Sequence, residues 1–207
     1  MGNSWSNKEF VLHAVKQQGC ALQFANNSLK ADKEVVLTAI QQNGNAHRFA
    51  DDSLNNDKDF ISRAVQQDVH ALQYADETLK KDKEFIKQLL EYDIFVYRYV
   101  NDGILTGKKF NALFPNVKLR KKLKDDMVMC GGYTYQIGIN KDILQFKPTG
   151  QCCAGGLYCT TDKYINDFSD KDYGKNLYVV KIPDEAQVFI EGPNKLKADM
   201  LEIVRKI

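Results

Sequence analysis

The sequence predicts an α+β protein: a short α-helical repeat array followed by a small β-rich α+β domain. Three observations predict it. Residues 7–106 repeat with a period of 25 residues, the spacing of apolar residues changes from 3.6 to 2 after Tyr133, and three of the four prolines (Pro148, Pro183, Pro193) punctuate the second region. The expected organisation is a repeat array over 1–106 with units near 7–31, 32–56, 57–81 and 82–106. A helical connector over 107–131 and a β-rich domain over 132–207 follow.

Each unit opens on Asp-Lys-Glu or a close variant. Asp32, Asp57 and Asp82 suit a helix N-cap, and Glu34, Asp59 and Glu84 then fall in the first turn, where the helix dipole favours them. Val35, Val36, Ala39 and Ile40 form an inward stripe at helical spacing, repeated as Phe60, Ile61, Ala64 and Val65. Gly19 and Gly44 mark a break read as a C-cap. A second, shorter helix follows at Ala21–Ala25, Ala46–Ala50 and Ala71–Ala75, with Phe24, Phe49 and Tyr74 expected to stack along one seam. Leu29, Leu54 and Leu79 close each unit as buried turn leucines, and the fourth unit, richer in aromatics, reads as a cap. His47 and Arg48 stand where the neighbouring units carry Leu22-Gln23 and Leu72-Gln73. They are candidate binding residues, or a surface-facing substitution.

This block resembles a family of short helical repeats of unknown function, built on Asp-Lys-Glu-Val-Val and Ala-Leu-Gln-Tyr-Ala motifs and frequent in protists and their large DNA viruses. The resemblance implies an α-helical array and carries no activity.

The connector contains Phe110-Asn-Ala-Leu-Phe114, a break at Pro115, and the basic stretch Lys118-Leu-Arg-Lys-Lys-Leu-Lys124. Leu119 and Leu123, four apart, read as one side of a solvated helix. Alternatively, Lys118, Arg120, Lys121, Lys122 and Lys124 form a patch for phosphate or acidic lipid. Strands are expected at Tyr133–Ile139, Gly155–Thr160, Leu177–Ile182, Ala186–Ile190 and Met200–Val204, with a turn at Phe146–Gly150, a short helix at Asp162–Phe168 and a turn or one helical turn at Asn194–Asp199. Tyr135-Gln-Ile-Gly-Ile-Asn140, Lys147-Pro-Thr-Gly-Gln-Cys152, Gly155-Gly-Leu-Tyr158, Ile182-Pro-Asp184 and Lys195-Leu-Lys-Ala-Asp199 together resemble a module found ahead of ankyrin repeats in giant DNA virus proteins. Cys159 replaces its usual aromatic, and that resemblance too implies no activity.

Composition narrows the function. The net charge is +2, divided as −3 over residues 1–106 and +5 over 107–207, which argues against nucleic acid as a partner. No apolar run is long enough to span a membrane, and the N-terminus has no secretory signal. Gly2 with Ser6 fits the myristoylation pattern, which would anchor only weakly to a membrane. The five cysteines are odd in number and contain no C-x-x-C pair, so reduced thiols in a cytoplasmic protein are expected. No metal site, phosphate loop or dinucleotide fingerprint is present, and no cofactor is implied. Cys152 and Cys153 border glycines, but no histidine follows His70 to lower a thiol pKa, so a structural or redox role is favoured over a nucleophile.

Two function classes remain. The repeats favour a protein–protein interaction adaptor with a protein partner, set by the family resemblances in a viral or amoebal context where it would act on a host factor. The alternative is a divergent nucleotide-using enzyme. Gly156-Leu-Tyr-Cys-Thr-Thr161 followed by Val188-Phe-Ile-Glu191 resembles the motif order of ADP-ribosyltransferases. That resemblance implies Tyr133, Tyr158 and Thr161 around a nicotinamide and Glu191 as the catalytic carboxylate. A core Tyr158 and a turn Glu191 before Gly192 explain the same residues without chemistry.

Overall fold

Four ten-residue helices with almost the same cap carry the first half of the chain in the computed structural model, which describes residues 4–101, 103–127, 133–142, 156–192 and 194–207. The chain divides into two compact units, Met1–Val100 and Asn101–Ile207.

In the first unit the α-helices are α1 (Lys8–Gln17), α2 (Asn27–Lys30), α3 (Lys33–Gln42), α4 (Lys58–Gln67), α5 (Glu77–Lys81), α6 (Lys83–Tyr92) and α7 (Tyr97–Val100). Helices α1, α3, α4 and α6 each begin on a side-chain cap: Asn7, Asp32, Asp57 and Asp82 accept from backbone N–H groups of the first turn. The shorter second element of each repeat is a 3-10 helix: Gly19–Phe24, Gly44–Phe49, Val69–Tyr74 and Ile94–Val96. Leu29, Leu54 and Leu79 are all buried, as the repeat pattern requires.

The expected glycine C-caps take a different form. The residues ending α1, α3 and α4 are Gln18, Asn43 and Asp68, all in extended conformation. Glycine follows for lack of room: a Cβ on Gly19 would lie 2.4 Å from the Ala39 carbonyl oxygen, and one on Gly44 would overlap the Asp68 carboxylate at 1.4 Å. Backbone bonds join successive repeats, from Asn26 N to Trp5 O (3.0 Å), Asp51 N to Lys30 O (2.9 Å) and Asp76 N to Asn55 O (2.8 Å).

The second unit contains β1 (Ile104–Thr106), α8 (Gly107–Leu113), β2 (Leu119–Leu123), β3 (Gly138–Lys141), β4 (Leu157–Thr161), α9 (Asp170–Tyr173), β5 (Asn176–Lys181), β6 (Gln187–Ile190), β7 (Leu196–Ala198) and β8 (Met200–Lys206). The strands form one antiparallel sheet in the order β1-β6-β7-β4-β2-β5-β8-β3. Its buried side chains include Phe110, Leu123, Val188, Ile190, Leu196 and Ile203, each fully enclosed. Gly107 starts α8 where a Cβ would meet the Pro183 carbonyl oxygen at 1.8 Å.

Four expectations are corrected here. Residues 104–106 are a strand paired with β6, so the helical unit ends at Val100. Among the described residues the connector is helical only over α8; the basic stretch is a strand, β2, between β4 and β5. Its burial alternates, with Leu119, Lys121 and Leu123 inward, and five-residue pairing with β5 outweighs the i, i+4 leucine spacing. Residues 196–198, read as a turn, are β7. The first expected strand, Tyr133–Ile139, forms only from Gly138. The turn expected at Phe146–Gly150, as well as Gly2, Cys130, Cys152 and Cys153, lies outside the described residues.

Candidate functional site

On the repeats, Phe24, Phe49 and Tyr74 keep one register position but take other partners than the expected stacking on one another. Phe49, Tyr74 and Tyr99 are half-buried and Phe24 is exposed. Among the described ring contacts they do not pair with one another. His47 stacks on Tyr74, centroids 4.6 Å apart, and meets Phe60 edge-on at 5.5 Å; the Arg48 guanidinium lies 4.7 Å from the Phe49 ring centre, and His70 meets Tyr99 at 5.9 Å.

Only one half of the His47-Arg48 pair faces water. Arg48 is exposed, whereas His47 is 2% exposed in the position held by the fully buried Leu22 and Leu72. The imidazole fills a leucine site at the junction of two repeats. Its Nε2 lies 3.3 Å from Asn55 Oδ1, and its Nδ1 is buried with no hydrogen-bond partner. Burial holds its pKa below the ordinary 6.5, against weaker upward pulls from Asn55 and Asp68. Nearby, Asp68 Oδ1 accepts from His70 N (2.9 Å) and lies 2.8 Å from His70 Nδ1. Burial first, then Asp68, pushes the Tyr99 hydroxyl up to about 12. The ridge therefore combines aromatic faces, an arginine and an Asp–His pair.

The basic strand β2 does not present five free cations. Arg120 pairs with Asp162 (Nε–Oδ1 2.6 Å, Nη2–Oδ2 3.0 Å), and Lys122 with Asp170 (2.7 Å) and the Phe168 carbonyl (2.8 Å). Lys121 is 4% exposed, donates to the Tyr158 carbonyl and lies 4.4 Å from the Tyr135 ring centre. Of the five, only Lys118 and Lys124 are exposed. These charges tie the sheet to its connecting segments.

The four residues of the enzyme reading are brought together in part. Register places Phe189, Lys197 and Tyr158 across β6, β7 and β4, hence on one side of the sheet. The Lys195 and Lys197 ammonium groups lie 4.9 and 5.4 Å from the Tyr158 ring centre. Glu191 bonds through its backbone N–H to the Lys195 carbonyl (3.0 Å), and its Oε2 is buried with no hydrogen-bond partner. Thr161, three residues from Tyr158 along β4, alternates to the other side and pairs with Leu119. Tyr133 donates to the Lys141 carbonyl (2.9 Å) and packs edge-on against Tyr135, and Tyr135 in turn lies against Lys121, which donates to the Tyr158 carbonyl. Lys195 and Lys197 carried a sequence signal, being part of the closing Lys-x-Lys-Ala-Asp motif. Cys159 is buried and its thiol is pushed up to about 12, despite Lys121 pulling the other way, which removes it as a nucleophile. Among the described residues no group of three His, Cys, Asp or Glu side chains is placed to hold a metal ion, and no helix is long and apolar enough to cross a membrane.

The fold defines a class: a helical-repeat protein that also carries an antiparallel sheet unit. Residues 7–55, 48–80 and 57–105 match, as successive copies, a family described as a domain of unknown function, DUF4116. No curated protein and no solved structure matches the chain.

Proposed function

We propose that the chain is a protein–protein interaction adaptor of the cytoplasm, with a 25-residue helical unit as the element of its array. The partner-binding surface in this reading is the ridge formed by Arg48, Phe49, Tyr74 and Tyr99, with His47 beneath it. The observation that carries the reading is the recurrence of half-buried aromatics at one register position, each faced by a histidine or arginine. Tyrosine and arginine dominate the binding energy of protein interfaces, because they combine large contact area with a polar tip. The motif resemblances to repeats of protists and to modules of giant DNA viruses support a viral protein acting on a host factor. Arg48→Glu reverses an exposed charge without touching the core. Its test is quantitative capture of partners from amoebal lysate: the adaptor reading requires at least one protein retained by the wild type and lost from the variant.

A second reading rests on Glu191, whose buried Oε2 lacks a hydrogen-bond partner in the hairpin that brings Lys195 to Tyr158. A nucleotide-using transferase would employ that carboxylate. Thermal shifts with NAD or ADP-ribose test it: ligand at about 100 times its Kd stabilises by roughly 2.7 kcal/mol, and Glu191→Gln should abolish the shift.

A further inference from the structure

Successive repeats meet through the same kind of contact, and one junction differs in its chemistry. Leu22 of the first repeat and Leu72 of the third fill equivalent sites and are fully buried; in the second repeat that site holds His47. Its ring sits against the third repeat, stacked on Tyr74 with centroids 4.6 Å apart and edge-on to Phe60 at 5.5 Å. Asn55 ties the ring to the closure of the junction. The Asn55 carbonyl accepts the inter-repeat bond from Asp76 N at 2.8 Å, and its side-chain oxygen lies 3.3 Å from His47 Nε2.

Asn55 Nδ2 donates to Asp52 Oδ1 at 3.2 Å, which turns the amide oxygen toward the imidazole. An oxygen facing Nε2 requires the proton there, so neutral His47 leaves Nδ1 as a bare acceptor. That atom is buried and, among the described residues, has no partner. Protonation places an N–H and a positive charge in this dry position. The charged and titratable groups around it are committed elsewhere. In its own repeat, Arg48 lies over Phe49 and Glu34 pairs with Lys8. In the first, Cys20 Sγ accepts from Asn43 Nδ2 at 3.6 Å. In the third, Asp68 Oδ1 is engaged by His70 N and Nδ1, and Asp57 by Lys33 and the Phe60 N–H. Stacking on Tyr74 favours a cation but gives an Nδ1–H no acceptor. Burial outweighs the upward pulls of Asn55 and Asp68 and lowers the pKa of the ring.

We propose that the junction between the second and third repeats is an acid-operated latch: protonation of His47 opens it locally, while the leucine junctions on either side stay closed. A solvated imidazole in the open form takes up the proton before the buried one does, so the closed form loses ground as pH falls. Its stability is complete above the open-state pKa and is lost progressively below it. Arg48 and Phe49 belong to the second repeat and Tyr74 to the third, so opening also divides the ridge. That last consequence rests on the adaptor reading; the opening itself does not.

Residue-resolved hydrogen exchange on the full chain, corrected for intrinsic rates, tests the latch without any partner. Between pH 7.5 and pH 5 the protection of the Asp76 N–H should fall at least fivefold. An open-state imidazole of ordinary pKa 6.5 sets the ceiling at about thirtyfold. The Asp51 N–H, which bonds to the Lys30 carbonyl across the Leu22 junction, should change less than twofold. His47→Leu, the side chain of the neighbouring junctions, should abolish the fall at Asp76. His70→Gln, at the imidazole that Asp68 already holds, should keep it. Equal falls at Asp51 and Asp76, no fall at Asp76, a fall that survives His47→Leu, or one lost in His70→Gln overturns the proposal. None of these outcomes bears on whether the ridge binds a protein, so the two readings fail separately.

Discussion

Lys33 Nζ lies 2.5 Å from Asp57 Oδ2, while the other oxygen of that carboxylate, Oδ1, accepts from Phe60 N at 2.9 Å. One aspartate thus caps its own helix and holds the lysine of the preceding repeat. Lys8 with Asp32 and Lys58 with Asp82 repeat the arrangement, at 2.7 and 2.5 Å. The ion pairs are partly exposed and individually weak, but the caps are not.

The two roles separate by mutation. Asp57→Asn keeps a capping oxygen and loses only the ion pair, for a cost of about 0.5 kcal/mol. Asp57→Ala loses the cap as well and should cost about 1 kcal/mol more. Urea denaturation at low and high salt checks both, with the Asn variant alone becoming equal to wild type at high salt.

Acid should destabilise the repeat unit in two stages. His47 has a folded pKa below 6.5, so the unfolded chain takes up its proton first and stability falls as pH drops below about 6.5. Asp57, lowered chiefly by Lys33 and the Phe60 N–H, contributes stability above 3.8 that is lost as pH falls through its lower folded value. His47→Leu, matching Leu22 and Leu72, should remove the first stage and add about 1 kcal/mol at neutral pH by deleting an unpartnered Nδ1. Thermal midpoints from pH 8 to pH 3 measure both.

Cys159 should be inert to thiol reagents in the native protein. In a variant with Cys130, Cys152 and Cys153 replaced by serine, one thiol, Cys20, should react readily, and a second only on unfolding.

Gly174 has φ +92, and a Cβ there would lie 2.3 Å from Leu123 C and Lys124 N, both backbone atoms. Gly174→Ala should cost the sheet unit at least about 2 kcal/mol, read as a lowered unfolding midpoint.

Local chemistry was legible in the sequence. Asp32, Asp57 and Asp82 cap where expected because capping depends on a side chain and the backbone two or three residues away. His47 could also have been placed, since Leu22 and Leu72 at the same register already pointed inward; the polarity of the side chain argued the other way and burial prevailed. The basic stretch was not legible. Leu119 and Leu123 fit a helix at i, i+4 and a strand at alternate positions equally well, and the choice is made by pairing with residues 176–180, more than fifty positions later. The same holds for β1 and β7, three residues each, which no periodicity can mark. Of the enzyme reading, motif order named Tyr158, Thr161 and Glu191; the strand expected at 155–160 stopped short of Thr161, which β4 includes and turns to the side opposite Tyr158.

The most direct measurement is partner capture with the full chain and Arg48→Glu side by side, quantified by mass spectrometry. The adaptor account predicts one or more proteins enriched by the wild type and depleted at least tenfold by the variant, with unchanged thermal stability. Equal recovery of every captured protein by both would contradict it.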